Sequence, residues 1–177
     1  MTTILLIDDD PATLEVINEC LLPHFRTRIA TRGGKGLELA QLSPAPDLVL
    51  LDLELPDMNG YQVCSALKRD TRTAEIPVIF LSSHTDMADI IRGLELGAVD
   101  YVPKPVAPPI LLARVRTQLR LRQAQIYLAD RNLHLEALVR ERTHALEART
   151  LDLQRSQELT IVTLGAPAET RDNETGN

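Results

Sequence analysis

Tryptophan is absent from these 177 residues, aromatic side chains make up only 3% of them, and cysteine occurs twice. With so few rings, aliphatic packing must build any core, and a hydrophobic content of 44% is enough for one. Cys20 and Cys64 match no metal-ligand spacing, so they read as reduced, buried thiols rather than a disulfide or a metal pair. No apolar run approaches the ~20 residues that a membrane-spanning helix needs. Met1 leads almost directly into a strand-like segment with no signal peptide. The expectation is a cytoplasmic, soluble protein with no membrane contact. An excess of positive charge is also missing. The net charge of −6 and pI near 5.2 argue against a chain that binds nucleic acid over its whole surface. Glycine is absent from 106 to 164, which removes the residue most used to end helices and make tight turns.

What is present is a set of short apolar runs, each ending in polar residues. Residues 48 to 60, LVLLDLELPDMNG, deliver one carboxylate, Asp52, from an unbroken apolar run into a loop containing Pro56, Asn59 and Gly60. Such runs are typical of strands buried on both faces in parallel sheets flanked by helices. Similar runs at Ile4–Ile7 and 76–81, a more alternating stretch at 26–31 and a short one at 99–102 make five strands. Helices are expected over about 11–22, from Gly33-Gly34 to about 42, from Gly60 to about 70, and over about 86–96. Pro11 suits the first helical position with Asp10 as N-cap. Strands alternating with helices through short connections predict an α/β fold, a doubly wound five-stranded parallel sheet. The GGKG at 33–36 lacks the GxxxxGK[ST] spacing of a phosphate loop and is set aside as one.

In such sheets, sites gather beyond the carboxyl ends of the strands. Four strand ends carry polar residues there: Asp8 with Asp9, Asp52, Ser82 and Lys104. Close carboxylates repel by about 4 kcal/mol per pair at an effective dielectric near 20, so the acidic cluster asks for a cation. A hard, oxygen-seeking ion such as Mg²⁺ meets that need. With charge neutralised by the ion and by Lys104, Asp52 can attack an anionic phosphoryl donor, and Ser82 can donate to a phosphoryl oxygen.

ILLIDDD, DLELPDMNG, VIFLSS and DYVPKP, in this order over about residues 1–120, together resemble the response-regulator receiver domain of two-component signalling, which has a flavodoxin-like fold. The resemblance implies that Asp8, Asp9, Asp52 and the backbone carbonyl of Glu54 hold Mg²⁺ and that Asp52 is the phosphoacceptor. It further implies that Ser82 is the switch hydroxyl, Tyr101 the switch aromatic and Lys104 the phosphate-binding lysine, with a cis peptide bond before Pro105. The implied donor is a sensor histidine kinase or phosphotransfer protein. The face of the fourth helix, fifth strand and fifth helix is expected to mediate phosphorylation-dependent pairing into a homodimer.

Past Pro108-Pro109 the helical pattern does not stop. Leu112, Leu119, Ile126 and Leu133 recur every seven residues, and Val139, Leu146 and Leu153 resume that period one residue out of phase. A helix over 106–164 would be on the order of 80 Å long. Its narrow apolar seam predicts a dimeric coiled coil, weakened by Arg122, Arg142 and Arg149 on or near the seam. A helix folded back on the receiver is the alternative. The last stretch, 165–177, is polar, yet RDNETG resembles the opening of the HD-GYP phosphodiesterase domain, which hydrolyses cyclic di-GMP at a metal centre. No HD pair or GYP motif follows, so the chain is expected to be a non-enzymatic regulatory fragment cut at the edge of its effector. Two other classes stay open: an aspartate-nucleophile phosphatase of the haloacid dehalogenase type, and a fragment of a DNA-binding regulator. The phosphatase would place its nucleophile on the first strand. The DNA-binding regulator would show a recognition helix or basic face, which is not evident here.

Overall fold

The computed structural model describes residues 2–83 and 86–164. In chain order the elements are β1 (Thr3–Ile7), α1 (Pro11–Leu21), β2 (Arg26–Ala30), α2 (Gly33–Ala40), β3 (Leu48–Asp52), α3 (Gly60–Arg69), β4 (Val78–Ser82), α4 (Met87–Glu95), β5 (Asp100–Pro103) and α5 (Pro108–Leu164). All strand pairs are parallel and the sheet order is β2-β1-β3-β4-β5, the doubly wound, flavodoxin-like arrangement. β1, β3 and β4 are interior strands, and every residue of each is buried, which is why they read as unbroken apolar runs. β2 and β5 lie at the edges and are partly exposed, which accounts for their mixed sequences.

The chain divides into two compact units, Met1–Gln125 and Ile126–Asn177. In the first, the two faces of the sheet bury separate clusters. One joins Leu5, Val49, Leu51 and Phe80 to Val63 and Leu67 of α3. The other joins Ile4, Leu6, Leu50 and Ile79 to Leu14 and Ile17 of α1 and to Leu111, Val115 and Leu119 of α5. Leu119 is buried and Leu112 half-buried against this second cluster, so these two heptad positions belong to the receiver core rather than to a seam. Arg122 is likewise not a seam residue: its guanidinium donates to the carbonyls of Pro46 and Asp47 at the entry to β3. In the second unit, every side chain from Ile126 to Gln157 is exposed. Residues 165–177, where the phosphodiesterase-like RDNETG stands, lie outside the described residues.

Several element ends differ from the sequence expectations. β4 begins at Val78 rather than Ile76, because Pro77 has no N–H to join the ladder. β5 is displaced by one residue to Asp100–Pro103, since Gly97 at φ 96 still belongs to the turn that closes α4. Cys64 is a buried core thiol, while Cys20 is only half-buried, its Sγ 3.4 Å from the Pro108 carbonyl.

Gly60 starts α3 in close contact with the strand that carries Asp52. A Cβ there would meet the Asp52 carbonyl oxygen and come within 2.8 Å of Leu53 Cα, both backbone atoms that cannot move aside. Gly60→Ala is therefore expected to cost about 1–3 kcal/mol, as overpacking does, read as a lower urea midpoint with an unchanged slope.

Candidate functional site

The register explains why residues far apart in sequence share one edge. Ile7 pairs with Leu51, Asp52 with Leu81, and Ser82 with Pro103, so β1, β3, β4 and β5 end at the same level. Asp8 follows β1 directly, Asp52 and Ser82 close β3 and β4, and Lys104 follows β5. Asp8, Asp52 and Ser82 are all buried, at 1%, 5% and 1% exposure, whereas Asp9 is exposed.

Lys104 ties the edge together. Its Nζ lies 2.8 Å from Asp8 Oδ2 and 3.0 Å from Asp52 Oδ2. Burial disfavours the ammonium, but its close contacts with the Asp8 and Asp52 carboxylates outweigh that and hold its pKa above the ordinary lysine value. Asp52 has the opposite balance. Burial pushes its carboxyl above the usual range, against the lowering effect of Lys104, and the nearby Asp8 charge adds to the rise. The backbone N–H of Glu54, an exposed residue in the loop after β3, acts with Lys104 to lower it.

The cluster is short of positive charge. One ligand oxygen from each of Asp8, Asp9 and Asp52 can be chosen so that all three lie within 4.8 Å of one another. Asp8 Oδ1 accepts from the N–H of Asp10 at 2.9 Å, which orients the carboxyl. The fully buried Asp8 Oδ2 has no well-formed hydrogen bond among the described residues, its Lys104 contact being an ion pair. Three convergent carboxylates facing one ammonium, with a buried oxygen left to coordinate, suit a hard divalent cation.

The Lys104–Pro105 peptide bond is cis. Tyr101 on β5 is half-buried, and its hydroxyl donates to the Ser82 carbonyl at 3.3 Å. The same carbonyl accepts from the N–H of Lys104 at 2.8 Å. A family model for the response regulator receiver domain matches residues 4–116. The chain belongs to this family.

Known receivers agree in sequence and in shape. The receiver domain of DrrB, solved in a BeF₃-activated form, is 37% identical with a TM-score of 0.62, covering 68% of this chain and 98% of that one. A response regulator structure from Chloroflexus aurantiacus is 31% identical with a TM-score of 0.64, covering 67% and 98%. Among curated relatives, a probable cyclic di-GMP phosphodiesterase of Vibrio cholerae is 40% identical over 175 residues, 99% of this chain and 38% of that protein. The DNA-binding regulator RpaA of Synechocystis is 44% identical over 121 residues, 68% of this chain and 50% of that protein. The chain thus spans half or less of the length of these curated relatives. Receiver membership removes the haloacid dehalogenase alternative, in line with Asp52 closing β3 rather than β1.

Two residues with defined roles in this receiver escaped the sequence reading, and a third, Arg122, was assigned there to the seam. Tyr61 is buried, stacks edge-on against Phe80 at 5.5 Å, donates to the Asp89 carbonyl at 3.2 Å and lies under Arg92 at 4.6 Å, tying α3 to α4. Its signal was helical spacing, three residues before Cys64 on the buried side of α3. Arg122 had no sequence signal, because its partners are backbone carbonyls. Asp57, in the loop after Asp52, bonds the N–H groups of Gly33 and Gly34, which hold its carboxyl below the usual range.

Proposed function

We propose that Asp52 accepts a phosphoryl group from a phosphohistidine of a sensor histidine kinase or phosphotransfer protein. An Asp52 carboxylate oxygen attacks phosphorus in line, and the bond to the imidazole nitrogen breaks with its electron pair returning to the ring. Asp8, Asp9, Asp52 and the Glu54 carbonyl would hold Mg²⁺, which supplies charge neutralisation for donor and product. Lys104 offsets the charge of Asp8 and Asp52 and would contact a phosphoryl oxygen. Ser82, buried at the end of the adjacent strand β4, would supply a hydroxyl to a phosphoryl oxygen. The observation that carries this reading is the pairing of one lysine with two buried carboxylates at a single sheet edge. Its test is uptake from a small acyl-phosphate donor: one phosphoryl per chain, lost on chelation of Mg²⁺, supports a receiver switch. Continuous turnover, or labelling that ignores chelation, sinks it.

The switch would run through the Ser82 carbonyl. Because that oxygen accepts from both Lys104 N–H and the Tyr101 hydroxyl, a pull on the end of β4 is felt at β5 and the switch aromatic together. The neighbouring surface offers a docking face for a second copy, with Met87, Ile91 and Leu94 of α4 exposed and Arg114 of α5 bridging to Asp100 of β5 at 2.6 Å.

The output reading is a cyclic di-GMP phosphodiesterase domain of the HD-GYP type, joined through α5. Its support is the similarity to the Vibrio protein over 99% of this chain, whereas the match to the DNA-binding RpaA covers 68%. The helix of the second unit fits a two-stranded coil. Asn132, Leu135, Glu136 and Val139 line one depression, at the i, i+3, i+4, i+7 spacing of a hole that receives a partner's knob. Thr143, Leu146, Glu147 and Thr150 line a second with the same spacing. The full chain is expected to sediment as a dimer, and Val139→Asp with Leu146→Asp to shift it to monomer. A wild-type chain that stays monomeric at high concentration ends the coiled-coil reading.

A further inference from the structure

The glycine pair at 33–34 is not a phosphate loop, yet its N–H groups do bind an anionic group. A helix leaves its first N–H groups without internal partners, and Arg32, at the N-cap of α2, supplies no side-chain acceptor. Asp57 supplies it from the loop after β3. Gly33 N–H donates to Asp57 Oδ1 at 2.8 Å and Gly34 N–H to Oδ2 at 2.9 Å, so one carboxylate caps a helix that lies more than twenty residues earlier in the chain. The negative charge also suits the positive end of the helix dipole. Next to it, Met58 fills the space that glycine leaves open: a Cβ on Gly33 would stand 2.5 Å from Met58 Cγ.

These contacts complete the fixing of residues 53–59. One end is held where Gly60 N–H donates to the Leu53 carbonyl at 2.8 Å. The other is held by Asn59, which caps α3 by accepting from Tyr61 N–H at 2.6 Å and donates its own N–H to Gln62 Oε1 at 3.0 Å. Asp57 and Met58 pin the middle to α2. The loop so held follows directly on Asp52 at the end of β3 and carries Glu54 two residues further on.

We propose that Asp57 is a positioning residue of the acidic pocket: by clamping the 53–59 loop to the start of α2 it holds the Glu54 backbone ready for Asp52 and a divalent cation. This rests on the reading of Asp8, Asp9, Asp52 and Glu54 as a Mg²⁺ site. Asp57 touches none of the reacting groups. Removing it takes away no ligand but leaves the loop to be ordered by the cation on binding. Affinity for the ion falls, while the rate at saturating ion is retained.

The test uses the full chain and Mg²⁺ itself. Calorimetric titration without any phosphodonor gives the affinity, and uptake from acetyl phosphate at varied Mg²⁺ separates half-saturation from maximal rate. Asp57→Ala is expected to weaken Mg²⁺ binding by about tenfold, the scale of ordering roughly one residue, and to raise half-saturation by the same factor with the maximal rate near wild type. Asp57→Asn, which keeps one acceptor oxygen, should fall between. Ala40→Gly loosens the far end of α2 without touching the clamp, and should lower stability but leave Mg²⁺ affinity unchanged. Wild-type affinity in both Asp57 variants, or an equal loss in Ala40→Gly, overturns the clamp while leaving the phosphoacceptor reading standing. A wild-type chain that binds no Mg²⁺ overturns both.

Discussion

Asp52→Asn is expected to take up no phosphoryl group from an acyl-phosphate donor under conditions that load the wild type to one per chain. The amide is nearly isosteric, so the loss reports chemistry: a carboxamide oxygen is a poor nucleophile, and the variant lacks the charge that helps hold a cation. The same substitution should raise stability when Mg²⁺ is absent. Asp52 is 5% exposed and its folded-state pKa is raised, first by burial and further by Asp8. A raised carboxyl pKa means that folding favours the protonated form. The associated stability is present below the unfolded-state value and is lost as pH rises through the folded-state value. The variant escapes that loss. The gap in Tm between Asp52→Asn and wild type should therefore be negligible in acid, open as pH rises above the ordinary carboxyl value of 3.8, and narrow again when Mg²⁺ is added. Labelling of the variant equal to wild type would remove Asp52 as the acceptor. A gap that fails to widen with pH would contradict the electrostatic account.

Lys104→Ala should be the most destabilising single change at the sheet edge. It leaves Asp8 and Asp52 buried with no ammonium between them, and stripping one partner from a buried charge pair costs about 3–5 kcal/mol. The loss should be largest at neutral pH and shrink as pH falls, because the abandoned carboxyls can then take up protons. In wild type the lysine's own contribution lasts throughout the neutral range. Its pKa is raised in the fold, so that contribution is lost only as pH climbs past the ordinary lysine value. Denaturant titrations at several pH values check both statements. If Mg²⁺ restores much of the stability of Lys104→Ala, the ion and the lysine share the same two carboxylates. Phosphoryl uptake by this variant should be slow even at saturating Mg²⁺, since the incoming oxygens lose a fixed cation. Wild-type stability in Lys104→Ala at neutral pH would mean that the ion pairs at 2.8 and 3.0 Å carry no weight.

What was legible follows from which interactions are local. Burial of β1, β3 and β4 on both faces forces continuous apolar runs, and the loops that follow must be polar, so Asp8, Asp52 and Ser82 stood out at strand ends. Helix starts were legible where the cap is adjacent, as with Asp10 before α1, whose carboxylate accepts from Ala12 and Thr13. Where the cap comes from elsewhere, sequence carried no sign of it: Arg32 offers α2 nothing, and Asp57 supplies the acceptor across a loop. The first two heptad positions of α5 misled for a related reason. Leu112 and Leu119 obey the seven-residue period because a helix packed on a sheet also needs a stripe, and periodicity does not say what that stripe meets.

Sequence alone determined the strand count, the parallel α/β class and the receiver family, because buried strands, turn residues and strand-end acids are written in consecutive residues. Only the tertiary structure decided that Lys104 reaches two carboxylates at once, that Tyr101 and Lys104 share the Ser82 carbonyl, and that Asp57 closes the start of α2. Those contacts join segments brought together by sheet register and loop path, and a local pattern of residue types holds no record of either.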